Sequence, residues 1–318
     1  MGAPFSALSF LKKIPSDLLC AYFKRFNKVN LCIFDEKNQK TAILMDFWKE
    51  LPDEVKKTAE SDFSSILEMM DELGVQSIYS IAEQLGCGDE LLKAWDGKTL
   101  EEKTFIAFID FKNLWDGANA LAFADRVPGR SWQRRKNLPS DLLSDSEQAC
   151  EDFAQKIGEL LHSEQGRGNQ CKVERYQTED GRLFFFALFE DFARSCLEWE
   201  NNDLQSRRRR QALQYIFQYS PKEGKLSIYC PNASALVRNL QQIFAETILN
   251  IEELGEDVQD NRIYDLKPLL NPEFRFAWKT EWGIEDVQLV KLRLTRRFSN
   301  QRVVFEAGRK NGRKEVYE

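Results

Sequence analysis

EQGRGNQCKVERYQTEDGRLFFFALFED, residues 164–191, is where the chain changes its period. A helical, acidic segment ends in a glycine-framed basic loop, and two apolar runs come after it, Cys171 to Tyr176 and Leu183 to Phe189. Between them Glu179-Asp180-Gly181 supplies an Asp-Gly turn, a strong short-range signal for a hairpin of antiparallel strands. Gly166 or Gly168 is expected to cap the preceding helix in the left-handed conformation. Upstream of this stretch the apolar residues recur at helical spacing, and downstream strands and helices mix. The expected fold class is therefore α+β, a helical N-terminal part followed by a mainly antiparallel sheet with at least one packed helix. The expected domains are an all-helical one over 1–163 and an α+β one over 164–318.

In the first part Phe5 to Leu11 and Ser16 to Phe26 read as short helices, the second introduced by Pro15. After Leu51-Pro52-Asp53, the residues Val55, Ala59, Phe63, Ile66, Leu67, Met70 and Leu73 recur at three-and-four spacing until Gly74 stops the pattern. Val75 to Leu85, Leu100 to Asp125 and Ser144 to His162 continue the helical style, and Asp125 to Pro139 reads as a basic loop. In the second part Tyr215, Phe217 and Tyr219 alternate before a turn at Pro221 to Gly224 and a strand over Leu226, Ile228 and Cys230, a second hairpin. Ala233 to Leu249 reads as a helix, and Phe274 to Trp278, Val287 to Thr295 and Arg302 to Glu306 as strands. The aromatic runs Phe184 to Phe186 and Tyr215 to Tyr219 read as core.

The chain of 318 residues is 42% hydrophobic and 30% charged, with 23 Phe and 7 Trp, the make-up of a globular protein with ample core aromatics. Its apolar runs fall far short of the ~20 residues needed to cross a bilayer. The apolar Met1 to Leu11 precedes Lys12 and Lys13, the reverse of a secretory signal, so the expectation is cytoplasmic residence with no membrane partner. Seven dispersed cysteines contain no C-x-x-C pair and read as free thiols. His162 is the one histidine, which removes sites that need two, and it sits at a helix end where a basic group complements the dipole. No metal or cofactor is expected.

The residues EQGRGNQCKVERY, FFFALFEDF, QYIFQYSPKEGKL, IYDLKPLL and GIEDVQLVKLRL resemble an uncharacterised family of bacterial proteins, over roughly Leu114 to Leu294. Where that family tends to a Pro-Glu-Asp-Tyr-like element, this chain has Phe189-Glu190-Asp191-Phe192. The resemblance implies a bacterial cytoplasmic origin and a shared architecture, and it brings no catalytic residue.

Gly166-Arg167-Gly168 lies in helix-loop-strand order, the opposite of a dinucleotide loop, which follows a strand and opens a helix. Arg167 and Lys172, beside flexible backbone amides, are candidate anion contacts. The strand from Val287 puts Lys291, Arg293 and Arg297 on one face. With Arg207 and Arg208 of the run Arg207 to Arg210, the Arg126 to Lys136 loop, and the basic residues 309–314, they form a candidate phosphate-tracking surface, with Trp132 or Tyr317 available for stacking. Net charge is −6, and the positive excess is confined to the tail from Arg275. Glu174, Glu190 and Asp191 form an alternative acidic cluster for Mg²⁺ chemistry, although no Glu-x-Lys strand follows at the required interval. The Glu190-Asp191 pair also reads as the cap of a short helix at Phe192. Together these readings favour a non-catalytic binding or regulatory component of a bacterial cytoplasmic assembly, with a protein partner and nucleic acid as a second candidate partner. Two alternatives stand beside it, a metal-dependent nucleic-acid-processing enzyme and a subunit of a bacterial defence or toxin-control system.

Overall fold

The computed structural model describes residues 6–26, 41–139, 144, 146–200, 203–255, 266–271, 273–278, 287–295 and 302–306. Two compact units divide the chain, residues 1–261 and 262–318.

The first unit is α+β. Its leading layer holds α1 (Ala7–Leu11), α2 (Ser16–Phe23), α3 (Thr41–Glu50), α4 (Asp53–Glu68), α5 (Glu72–Gln84), α6 (Gly88–Ala94), α7 (Leu100–Asp110) and α8 (Trp115–Arg126). Local chemistry sets several of the starts. Asp53 and Glu54 occupy the first turn of α4, and Thr99 with Glu102 closes a reciprocal capping box on α7. The expected stop at Gly74 is corrected: α4 ends at Glu68, and Gly74 lies in the first turn of α5, where its N–H donates to Asp71 Oδ1 at 2.7 Å. The glycine is there for space, since a Cβ would sit 2.2 Å from the carbonyl oxygen of Met69.

A five-stranded sheet comes next, in the order β1-β5-β4-β3-β2, every neighbour antiparallel. Its strands are β1 (Gln133–Arg135), β2 (Cys171–Gln177), β3 (Leu183–Glu200), β4 (Asp203–Ser220) and β5 (Lys225–Tyr229). Both expected hairpins are present, with Gly181 at φ 85° and Gly224 at φ 55° in their turns. β1 corrects the loop reading of 125–139: its three residues pair with Leu226 to Ile228. α9 (Glu147–Gln165) and α10 (Val237–Ile248) cover one face of the sheet, linked by Lys156 to Glu246 at 2.6 Å. Gly166 ends α9 at φ 68°, as expected, and Gly168 is also left-handed at φ 84°. The junction expected at 163/164 lies within this unit, where α9 packs on the sheet.

The triple phenylalanine explains the layering. Phe184 and Phe186 point into the core shared with α1–α8, while Phe185 points to the other side, against Phe153 of α9 and Phe244 of α10 at 6.1 and 5.5 Å. A strand covered on both faces needs an unbroken apolar run, because alternation would bury a polar residue at every second position. Each of these rings is fully buried, and each contributes roughly 2–3 kcal/mol by removal from water.

The second unit contains, among its described residues, a short 3-10 turn (Lys267–Leu270) and a hairpin of β6 (Lys291–Thr295) with β7 (Arg302–Glu306). Phe274 to Trp278, expected as a strand, has no regular structure. The pattern Phe-Arg-Phe-Ala-Trp alternates, but it pairs with no strand among the described residues, and alternation alone does not make a strand.

Candidate interaction site on the β3–β4 arm

β3 and β4 run on past the sheet to which they belong. β2 accompanies β3 only as far as Cys171 opposite Phe189, and β5 accompanies β4 only from Ile216 onward. Beyond those limits Ala193–Glu200 and Asp203–Arg210 pair with each other, and among the described residues no third strand joins this two-stranded ribbon. Burial changes at the same place. Tyr215 to Phe217 and Leu183 to Ala187 are buried, whereas Leu197 and Trp199 are 70% and 71% exposed, and Phe192 and Leu204 are about half exposed. The helix expected at Phe192 is corrected, since β3 continues through that position.

A β-bulge separates sheet from arm. Glu190 pairs with Ala212 and Ala193 with Arg210, so Asp191 and Phe192 stand against the single residue Gln211. Such an insertion bends and twists the strand and re-aims the residues beyond it. An ion cluster fixes the bend. The Asp191 carboxylate is 3% exposed and accepts from Arg167 Nη1 at 3.1 Å and from Arg194 Nη2 at 3.0 Å. The backbone N–H of Phe192 and the two guanidiniums hold its carboxyl below the usual carboxylate range. Arg167 donates also to Gln165 Oε1 at 2.7 Å and stacks 5.4 Å from the Phe189 ring centre.

Cross-strand partners share a face, which sorts the arm side chains into two sets. One face carries Ala193 with Arg210, Ser195 with Arg208, Leu197 with Ser206, and Trp199 with Leu204. The opposite face carries Arg194 with Arg209, Cys196 with Arg207, and Glu198 with Gln205. Charge is graded along the length. Five arginines, Arg194 and Arg207–Arg210, lie toward the body, and Glu198, Glu200 and Asp203 lie toward the tip. Arg210 pairs with Glu190 at 3.1 Å and Arg209 with Glu198 at 2.7 Å.

The residues singled out in the sequence are distributed widely. Arg207 and Arg208 are in the arm, on opposite faces. Arg167 is taken up by Asp191 at the arm's base, and Lys172 meets Glu174 at 2.8 Å. Tyr176 donates to the same Glu174 at 3.0 Å, and Lys172 first, with Tyr176, holds that carboxyl low. The three carboxylates of the acidic cluster thus turn to different cations: Glu174 to Lys172, Glu190 to Arg210, and Asp191 to Arg167 and Arg194. Among the described residues no group of three or more His, Cys, Asp or Glu could hold a metal ion. Lys291 and Arg293 belong to the second unit, where Lys291 meets Glu306 at 2.6 Å; Arg297, Tyr317 and residues 309–314 lie outside the described residues.

The basic loop is absorbed into the fold only in part, and Arg130 and Lys136 stay exposed. Arg135 is buried and donates to Gly255 O at 2.6 Å, and Arg126 meets Asp71 at 2.8 Å. Trp132 is corrected as a stacking platform, being buried with its indole N–H donating to Val127 O. The described cysteines are all free, and burial pushes the Cys171 and Cys230 thiols up to about 11, away from nucleophilic use at neutral pH. No helix among the described residues is long and apolar enough to cross a membrane.

Trp199, Leu197, Leu204 and Arg194 do not stand out in the sequence. The signal that marks them is the Asn201-Asn202 pair between Trp199 and Leu204, a turn composition flanked by lone apolar residues among charges. No protein-family model matches the chain, and comparison with curated proteins finds no match.

Proposed function

We propose that the protein is a non-catalytic binding component whose contact element is the β3–β4 arm and whose partner is a protein. The observation that carries this reading is the exposure of Leu197 and Trp199 on a ribbon that, among the described residues, no third strand supports. An isolated two-stranded hairpin is marginal in water, and a Trp held in solvent forgoes a large burial gain. Both deficits are made good when another surface covers the arm. Aromatic and arginine side chains together are the usual anchors of protein interfaces.

Phosphate recognition fits the arm less well. Arg194, Arg209 and Arg210 already face carboxylates, and the tip carries Glu198 and Asp203 beside its Trp. A nucleic-acid backbone would have to displace those carboxylates and approach an acidic tip. The family resemblance of the sequence adds a setting to this proposal, a bacterial cytoplasmic assembly.

The test is a photo-crosslinking residue at position 197, introduced in the cells to which the gene is native. A discrete protein adduct that resists nuclease, and that disappears when residues 193–210 are replaced by a two-residue turn, is the expected result. Adducts to nucleic acid alone, or capture indifferent to the arm, would overturn it. The shortened chain must retain its circular dichroism spectrum and melting transition, since the sheet core lies outside the deleted ribbon.

A further inference from the structure

We infer that the cavity between β1 and the first turns of α10 binds the phosphate group of a small phosphomonoester. This goes beyond the docking reading and does not depend on it. Among the described residues two charged side chains are buried, Asp191 and Arg135, at 3% and 7% exposure. Asp191 has two guanidiniums on it. Arg135 has no carboxylate among the described residues. Its Nη2 donates to Gly255 O at 2.6 Å, and its Nη1 reaches Gln241 Oε1 at 3.5 Å, the outer limit of a hydrogen bond. Both acceptors are neutral, and together they engage two of the five N–H donors that a guanidinium carries. A buried cation without a counter-charge is costly, and an anion that completes the site relieves the cost.

The space beside Arg135 is lined for such an anion. A cavity of about 610 Å³, within the range of small-molecule sites, is bounded by Arg135, Arg238 and four carboxamides, Gln133, Asn239, Gln241 and Gln242. No Asp or Glu lines it among the described residues, although acidic residues outnumber basic ones in the chain by 51 to 45. Cavities elsewhere on the same unit do carry carboxylates, Glu159 and Glu246 between α9 and α10, and Asp180 and Glu223 beside the hairpin turns. The local fold assembles this lining. Gln133 and Arg135 are two positions apart on β1 and share the face turned to α10. Gln242 ties down the facing wall, its Nε2 donating to Glu252 O at 2.6 Å and its Oε1 accepting from Leu254 N–H at 3.1 Å, which keeps Gly255 beside the guanidinium. The first turn of α10 holds no acidic residue, so the helix dipole adds to the positive field there.

Two guanidiniums and a helix N-terminus match a dianion better than a monoanion, and arginine forks fit phosphate oxygens in pairs. A phosphate ion alone, a few water volumes of about 30 Å³ each, leaves most of the cavity empty. The carboxamides offer donors and acceptors together, which suits the hydroxyls of a phosphorylated sugar or polyol.

The experiment is isothermal titration calorimetry of the full chain at constant ionic strength, with glycerol phosphate, inorganic phosphate and acetate as probes. Glycerol phosphate should bind with a dissociation constant below about 1 mM, inorganic phosphate more weakly, and acetate not measurably. Arg238→Ala, at the exposed rim, and Arg135→Lys, which keeps the charge and loses the fork, should each weaken glycerol phosphate at least about tenfold. Arg209→Ala removes the same charge from the arm and should leave binding unchanged. Silence with both phosphate probes at on the order of 10 mM, ten times the expected constant, overturns the inference, as does an equal loss in Arg209→Ala. Inorganic phosphate binding as tightly as the ester strikes the phosphomonoester and gives the cavity to the free ion. If Arg135→Lys fails to fold, Arg238→Ala and Gln133→Leu decide alone. Replacing 193–210 by a short turn should leave the titration as it is, so this site and the docking arm fail separately.

Discussion

The two halves of β3 and β4 are built from the same pair of strands and live in opposite surroundings. From Leu183 to Phe189 the β3 side chains enter cores on both faces, and from Ala193 to Trp199 they enter neither. The hydrogen-bond ladder continues across the boundary with a single bulge. Pairing alone therefore does not distinguish the halves; their surroundings do. The body half is stabilised by removal of aromatic surface from water, whereas the arm half shows, among the described residues, its ladder and ion pairs such as Arg209–Glu198, a surface contact worth ~0–1 kcal/mol. That contrast is what the docking proposal rests on.

The most forceful challenge to this contrast is Phe185→Ala, which opens a cavity between β3, α9 and α10. It should cost about 3–5 kcal/mol in denaturant unfolding. A cost below ~1 kcal/mol would mean that the two helices do not pack on the sheet as described.

Asp191→Asn attacks the boundary itself. Removing the charge that Arg167 and Arg194 share should lower stability by about 2–3 kcal/mol at neutral pH. The sign with pH follows from the depressed carboxyl. Its contribution is fully present above the unfolded value near ~3.9 and is lost as pH falls through the lower folded value. Wild type and variant should accordingly differ by a constant amount from about pH 5 to 8 and converge below about pH 4. Parallel curves down to the acid limb would show that the ion cluster contributes nothing.

Hydrogen exchange probes the same boundary without mutation. In dilute solution the amides of 204–210 should exchange at least about tenfold faster than those of 215–219, because a bare ribbon opens locally while the sheet opens only globally. Equal protection in a monomeric sample would contradict the open-ribbon description. The smallest effect belongs to Trp199→Ala, expected to change unfolding stability of the monomer by no more than ~0.5 kcal/mol. A larger loss would place the indole in a core that the structure does not show.

This contrast also explains what can be read in the amino-acid order. Both body hairpins are legible, because Asp180-Gly181 and Gly224 name their turns and the aromatic runs name the buried strands. The arm is not, since Ser-Arg-Arg-Arg-Arg has no alternation and solvent on both faces imposes none. β1 escapes notice because three residues carry too little period, and its partner β5 lies about ninety positions away. Gly74 reads as a stop, whereas it permits the close approach of Met69 to the first turn of α5. At the candidate site Arg207 and Arg208 are found by composition alone. Arg167 and Lys172 read as anion contacts because their carboxylate partners come from folding: Asp191 is 24 residues from Arg167, and Glu174 shares a strand face with Lys172.

The bulge at Asp191 and Phe192 governs how such an arm can change over time. Side chains alternate along a strand, so adding or removing residues beyond the bulge in matched pairs changes the ribbon's reach and keeps every group on its own side. Loss of Phe192 alone would instead remove the bulge and its bend while leaving Trp199 opposite Leu204 on the same face, because Asp191 would then pair with Gln211 one to one. The core strands would feel neither event. One codon at this position sets the bend of the arm, and a few codons further out set its length, both able to vary while the folded body stays as it is.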